Sequence, residues 1–333
     1  MRSIKYFVGE HVYIFSVFII LIAVGATYLL GGYIVPERVL PTNCATDYKF
    51  INPEPDCETF ESKLEQMLQL QSKLETQIQK AKDAGQADEV GVFARDLLTR
   101  RFVGVNENKI FDMASLLKVP LAVAYFKYAE VIPEVLANQI LYQGKPDLYL
   151  LQGVQPSQKL KIGGSYSVEE LLRRALVYSD NTAAEILAEQ LPPDFLNEIL
   201  MALSIRFDNE GAKEDLVTPK TYANVFRILY NSSYLTREYS DKLLSLLTET
   251  DYKNGASVGL PADTKIVHKF GERSLYVQKT NELVYRQLHD CGIVYLNQNK
   301  NIYTFCIMTQ GKNFDDLQKV IQDLSLTIYE GMK

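Results

Sequence analysis

Ser115-Leu116-Leu117-Lys118 decides how the rest of this 333-residue chain reads. On a helix, positions three apart share a face, so the amine of Lys118 comes within reach of the Ser115 hydroxyl. A residue that opens a helix also has an unbonded backbone N–H. Ser115 therefore combines a nucleophile, a neighbouring base and half of a site for a developing oxyanion. The Ser-x-x-Lys pattern occurs once in the chain. A solvated lysine beside an ordinary serine helix cap would read the same way, so the neighbouring segments must choose.

Two of them do. Ser179-Asp180-Asn181 lies between Val168-Glu169-Glu170-Leu171-Leu172 and Thr182-Ala183-Ala184-Glu185-Ile186-Leu187, both helical in pattern. Ser179 can relay a proton and Asn181 can clamp an amide through its side-chain oxygen and nitrogen. Lys269-Phe270-Gly271 closes Thr264-Lys265-Ile266-Val267-His268, a run rich in strand formers. Lys161-Ile162-Gly163 and Lys253-Asn254-Gly255 share the Lys-x-Gly spacing, but the first precedes the Ser-Asp-Asn element and the second reads as a turn.

In this order the three motifs resemble those of the class A β-lactamases and penicillin-binding proteins, over roughly residues 58–333. The resemblance implies an α/β (α+β) fold of the β-lactamase/transpeptidase type. Its mixed sheet is built from both chain ends and flanked by helices, with an all-helical region inserted and the site at the seam. It also implies catalytic roles for Ser115, Lys118 and Ser179, and substrate contacts from Asn181, Lys269, Gly271 and the backbone N–H of Glu272. Lys269 would meet the carboxylate common to β-lactams and D-alanyl peptides, and Asp180 would tie its loop together. No cofactor is implied.

Two departures bear on activity. Phe270 replaces the family's usual Thr or Ser, and strand alternation turns it to the face opposite Lys269 and Gly271, into packing. The stretch Arg206 to Asp215 lacks the family's Glu-Pro-x-x-x-Asn, which leaves Glu210 and Glu214 as candidates to activate the deacylating water. Without such a base the acyl-enzyme would be long-lived. The alternatives are thus a D,D-peptidase-like penicillin-binding enzyme, a non-hydrolysing membrane sensor of β-lactams or peptidoglycan, or an esterase or peptidase using the same residues. Arg273 to Asp290 is longer than a strand connection needs and is expected to form a flap over the site.

Composition sets the remaining bounds. A net charge of −6, with no basic stripe interleaved with aromatics, argues against nucleic-acid binding. His11, His268 and His289 are scattered, and no Cys-x-x-Cys or His-Glu-x-x-His is present, so no metal is expected. Residues 12–35 carry no charge and are long enough to cross a bilayer, which takes about 20 residues. Arg2 and Lys5 place residues 1–11 in the cytoplasm, residues 36–57 become an extracytoplasmic stem, and residues 58–333 a catalytic domain outside the cell membrane.

Phe60, Leu64, Met67, Leu68, Leu74 and Ile78 predict a long helix to about Lys82, packed on the domain rather than forming a coiled-coil stalk. Strands are expected at 90–97, 101–105, 264–271, 291–296 and 302–309, a largely helical stretch over 113–249, and a closing helix over 314–329. Cys44 and Cys57 bracket the stem and can close a small loop. Cys291 and Cys306 fall opposite each other across a hairpin, as a disulfide or as two buried thiols.

Overall fold

The computed structural model describes residues 64–144, 153–192, 194–205, 216–277, 279–296 and 301–333. Residues 12–35, the stem with Cys44 and Cys57, and the candidates Glu210 and Glu214 lie outside the described residues. Among the described residues no helix is long and apolar enough to cross a membrane.

The chain opens with α1 (Leu64–Asp83), followed by β1 (Glu89–Asp96), β2 (Phe102–Val105) and β3 (Phe111–Asp112). A 3₁₀ turn at Ala114–Leu117 runs into α2 (Lys118–Ala129). The hairpin β4 (Gln139–Leu141) and β5 (Ser165–Ser167) precedes α3 (Val168–Val177), α4 (Asn181–Gln190) and α5 (Phe195–Ala202). After β6 (Leu216–Val217) come α6 (Pro219–Tyr230) and α7 (Arg237–Thr248). Three long strands, β7 (Lys265–Tyr276), β8 (Leu283–Leu296) and β9 (Asn301–Gly311), and the helix α8 (Phe314–Met332) complete it. Side-chain caps start the helices where the sequence supplies them. Ser167 Oγ accepts from Glu170 N–H, and Thr218 Oγ1 from Thr221 N–H just ahead of the Pro219 helix start.

The five-stranded sheet has the order β2-β1-β9-β8-β7. Strands from both chain ends meet where β1 pairs with β9, from Glu89↔Gln310 to Asp96↔Tyr303. Every pairing in it is antiparallel, which corrects the expectation of a mixed sheet. Short reversals join β1 to β2, β7 to β8 and β8 to β9, and a parallel neighbour would need a crossover that the chain does not make between them. The helical excursion leaves the sheet from one edge, β2, and returns at the other, β7.

Both faces of the sheet are covered. On one side α1 and α8 bury Leu70, Leu74, Ile78, Val320, Ile321 and Leu324 against Phe305 and Ile307. Each such side chain contributes about 1.5–3 kcal/mol when fully buried. Gln77 bridges the two helices, accepting from Thr327 Oγ1 at 2.7 Å. The first helix is therefore a packing helix, as its broken heptads suggest. On the other side the inserted helices form a separate core around Val119, Val123, Phe126, Leu176 and Phe226. Burial on both faces explains why β9 reads as a continuous apolar run.

The expected flap is instead an extension of the sheet. β7 and β8 stay paired as far as Tyr276↔Leu283, so residues 273–290 are mostly strand. Polar residues hid the early start of β8. Gln287 accepts from Asp112 N–H, His289 contacts Asp112 O, and Asp290 pairs with His268, so these side chains have partners inside the fold. Cys291 and Cys306 face each other in register on β8 and β9, fully buried and joined as a disulfide.

Candidate active site

Three residues ahead of Ser115, Asp112 ties the turn to the sheet. Its N–H reaches Gln287, and its carbonyl accepts from Nε2 of His289 at 3.0 Å. Burial pushes the His289 imidazole down to about 3, so the ring is neutral. Its Nδ1 then accepts from Thr309 N–H. Ala114 N–H donates to Asp112 Oδ1 at 2.7 Å, and Ala114 adopts a left-handed φ of 48°. That conformation costs about 1 kcal/mol outside glycine, and the surrounding bonds hold it. From below, the buried Tyr222 hydroxyl donates to Leu116 O at 2.7 Å.

Gly271 of β7 lies directly behind this turn. A Cβ there would sit 2.9 Å from Leu116 Cγ and 3.0 Å from Met113 O. The sequence reading gave this glycine to the approach of substrate; the segment that comes close is the chain's own nucleophile turn. Ser115 itself is the second residue of the 3₁₀ turn, partly exposed, and Lys118 is the first residue of α2.

Lys118 is at the centre of the polar cluster. Its Nζ lies 2.9 Å from Ser115 Oγ, 3.1 Å from Ser179 Oγ, 2.6 Å from Ser179 O and 2.6 Å from Asn181 Oδ1. Burial holds its pKa well below the ordinary lysine value, and the neighbouring Lys269 cation adds to the effect. Asp180 and Glu272 oppose it. Ser179 takes a left-handed φ of 55°, which turns both its carbonyl and its hydroxyl to Lys118. Asp180 is fully buried, and its Oδ1 caps α4 by accepting from Thr182 N–H and Ala183 N–H.

Lys269 is placed differently from the expectation. It is fully buried, with Nζ 2.9 Å from Ser179 Oγ, 2.9 Å from Phe270 O and 4.1 Å from the Phe270 ring centroid. Burial lowers this amine to about 7, against the raising effect of Asp290, Asp251 and Glu272. It therefore stands behind Ser179, buried in the fold. Phe270 packs on the α1/α8 side, stacked on Tyr252 with centroids 4.0 Å apart.

Glu272 differs too. Beyond its backbone on the sheet-edge strand, its half-buried side chain spans to the next segment, Oε1 accepting from Val154 N–H at 2.7 Å. Burial raises its carboxyl pKa.

These elements surround a cleft of about 750 Å³ lined by Ser115, Lys118, Asn181, Glu185, Glu272 and Arg273, among others. Glu185 was missed as a site residue. The available signal was its spacing, four residues after Asn181 and so on the same helical face. Among the described residues no group of His, Cys, Asp and Glu is arranged to hold a metal ion.

A model of the family described as the beta-lactamase enzyme family matches residues 73–332. A beta-lactamase of Bacillus subtilis is 27% identical over 201 residues, which cover 56% of this chain and 62% of that protein. The match thus spans about three-fifths of the relative's length. Among solved structures, a mutant of PBP-A in acyl-enzyme complex with penicillin G superposes with a TM-score of 0.65 at 21% identity, over 79% of this chain and 96% of that one. A beta-lactamase from Xanthomonas campestris pv. campestris gives a TM-score of 0.65 at 19% identity, over 79% and 99%. At those identities the structures speak for the shared fold.

Proposed function

The chain belongs to the β-lactamase enzyme family, and from that premise we propose that it is a serine hydrolase of the class A type. Ser115 forms an acyl-enzyme with β-lactams or related D-alanyl peptides. The observation that carries this reading is the bonding of Lys118. Ser179 O and Asn181 Oδ1 can only accept, so they engage two N–H groups of Nζ. A neutral amine then has its lone pair left for the Ser115 hydroxyl, which is the arrangement a general base requires.

Lys118 takes the Ser115 proton as Oγ attacks the amide carbon. Ser179, between Lys118 and Lys269, passes a proton to the leaving nitrogen. The N–H groups of Ser115 and Glu272 receive the oxyanion. Asn181, its Oδ1 held by Lys118, donates from Nδ2 to the substrate amide. Lys269 supplies positive charge from behind Ser179. Residues 12–35 anchor the chain, with this domain outside the membrane; deleting residues 1–35 should move the protein from the membrane to the soluble fraction.

A second reading, acylation without turnover as in a penicillin-binding or sensing protein, is favoured by the burial of Lys269 and the apolar Phe270. Intact-protein mass over time with a penicillin separates the two, with Ser115→Ala as control. A transient adduct with hydrolysed drug accumulating supports the hydrolase, and a persistent adduct the second reading. No adduct would remove β-lactams as substrates.

A further inference from the structure

Three carboxylates among the described residues line the cleft: Asp112, Glu185 and Glu272. Asp112 is occupied, accepting from Ala114 N–H on one oxygen and pairing with the Arg273 guanidinium through the other. Glu272 holds the backbone at Val154, and burial favours its neutral form. The Oε2 atom of Glu272 is also buried without a hydrogen-bond partner, but it lies against Gly153, and a carboxyl that burial keeps neutral is a poor base.

Glu185 is different. It stands on α4 one turn beyond Asn181, where side-chain Cβ atoms lie about 5–6 Å apart on a shared face. Asn181 in turn bonds Lys118, and Lys118 bonds Ser115. The Oε2 atom of Glu185 is buried and has no hydrogen-bond partner among the described residues. Glu185 lines the same cleft as Ser115, Lys118 and Asn181, together with the apolar Leu117, Leu121 and Leu196. A buried carboxylate oxygen without a hydrogen bond costs free energy unless a donor meets it. In a cleft open to solvent and next to the nucleophile, that donor is water.

We infer that Glu185 is the general base that hydrolyses the acyl-enzyme, an assignment that rests on the acylating role proposed for Ser115. Its carboxylate removes one proton from a water, whose oxygen bonds to the acyl carbon while the carbonyl pair moves onto the oxyanion. The pair returns, the bond from carbon to Ser115 Oγ breaks, and the proton taken by Glu185 passes through Lys118 to Oγ. The products are the free acid and the restored serine. On this account the base travels on a helix that the site already uses, and the hydrolytic step needs no carboxylate from 206–215.

The test loads the full chain with a penicillin and follows acylation and adduct release separately by intact mass, in wild type and in Glu185→Gln, Glu185→Asp, Glu210→Gln and Glu214→Gln. For Glu185→Gln the expected result is acylation within about twofold of wild type and release slower by roughly 10²–10³-fold, the scale of general-base catalysis. Glu185→Asp should recover part of the rate, which a merely structural role would not do. Release unchanged in Glu185→Gln, or loss confined to the Glu210 or Glu214 variant, would overturn the assignment. So would a wild type that acylates but releases no faster than Glu185→Gln, with the acylating serine left standing. A wild type acylated neither by penicillin nor by a D-alanyl thioester would overturn the acyl-transfer reading, and this inference with it.

Discussion

The Nζ of Lys269 lies 2.9 Å from the Oγ of Ser179, and the same hydroxyl lies 3.1 Å from Nζ of Lys118. Two amines thus share one serine, with Lys118 held further below its ordinary pKa in part by the charge of Lys269. Burial is the larger cause for both amines.

Burial puts Lys269 at about 7, so it is a cation below that pH and neutral above. Acylation that depends on this charge should fall as pH rises through about 7, and Lys269→Met should abolish that limb. Stability runs the other way. The unfolded chain keeps this lysine protonated up to about 10.4, so the cost of burying the cation is fully present below about 7 and fades as pH rises toward the unfolded value. Lys269→Met should therefore raise the melting temperature more at pH 6 than at pH 9, and equal gains would refute the buried-cation account.

Lys118→Arg should lower the acylation rate by roughly 10²–10⁴-fold, because a guanidinium cannot give up its proton to act as a base. Lys118→Met should lose about as much. Stopped-flow acylation at saturating substrate is the measurement, and a well-folded arginine variant with near wild-type rates would exclude Lys118 as the base.

A methyl group at 271 would meet Leu116 Cγ at 2.9 Å and Met113 O at 3.0 Å. Gly271→Ala should therefore displace the nucleophile turn, costing about 1–3 kcal/mol of stability as overpacking does. Acylation should suffer more than the melting temperature does, since the shift is aimed at Ser115. Thermal melts alongside the acylation rate would show whether the two effects separate.

Replacing Cys291 and Cys306 together with alanine opens a cross-link of sequence separation 15, for which loop-closure entropy gives about 3 kcal/mol. Both sulfurs are in the core, so reductant should act on the native protein only as fast as the sheet opens. Denaturant unfolding of the double variant checks the first point, and thiol labelling over time the second.

Local spacing made much of the site legible. Ser115 and Lys118 share a turn and bond directly, and Ser179 and Asn181, two positions apart, both reach Lys118. The depth of Lys269 was not legible, since its amine meets Ser179, a residue 90 positions away in the chain. Glu185 escaped notice because an i, i+4 pair matters only once its helix face is known to border a cleft. In the fold, apolar runs located the central strands, while β8 was shortened in the reading because Gln287, His289 and Asp290 look like loop residues until Asp112 and His268 provide their partners. Strand direction was the remaining error, and it depends on which edges the long excursion joins.

The pairing of β1 with β9 brings together residues more than two hundred positions apart, such as Glu89 and Gln310. High contact order of this kind makes folding slow, because loop closure must be met before the contact gives anything back. A ribosome-bound chain can form its first hairpin and its helical core early, yet β1 keeps an open edge until the last strand emerges. Ser115 is already synthesised by then, but the strand that backs its turn is β7, which comes in the same late stretch. Nascent fragments that stop short of β9 should hence be both inactive and prone to pair with one another, and the catalytic site should arise only after β7 to β9 have been made.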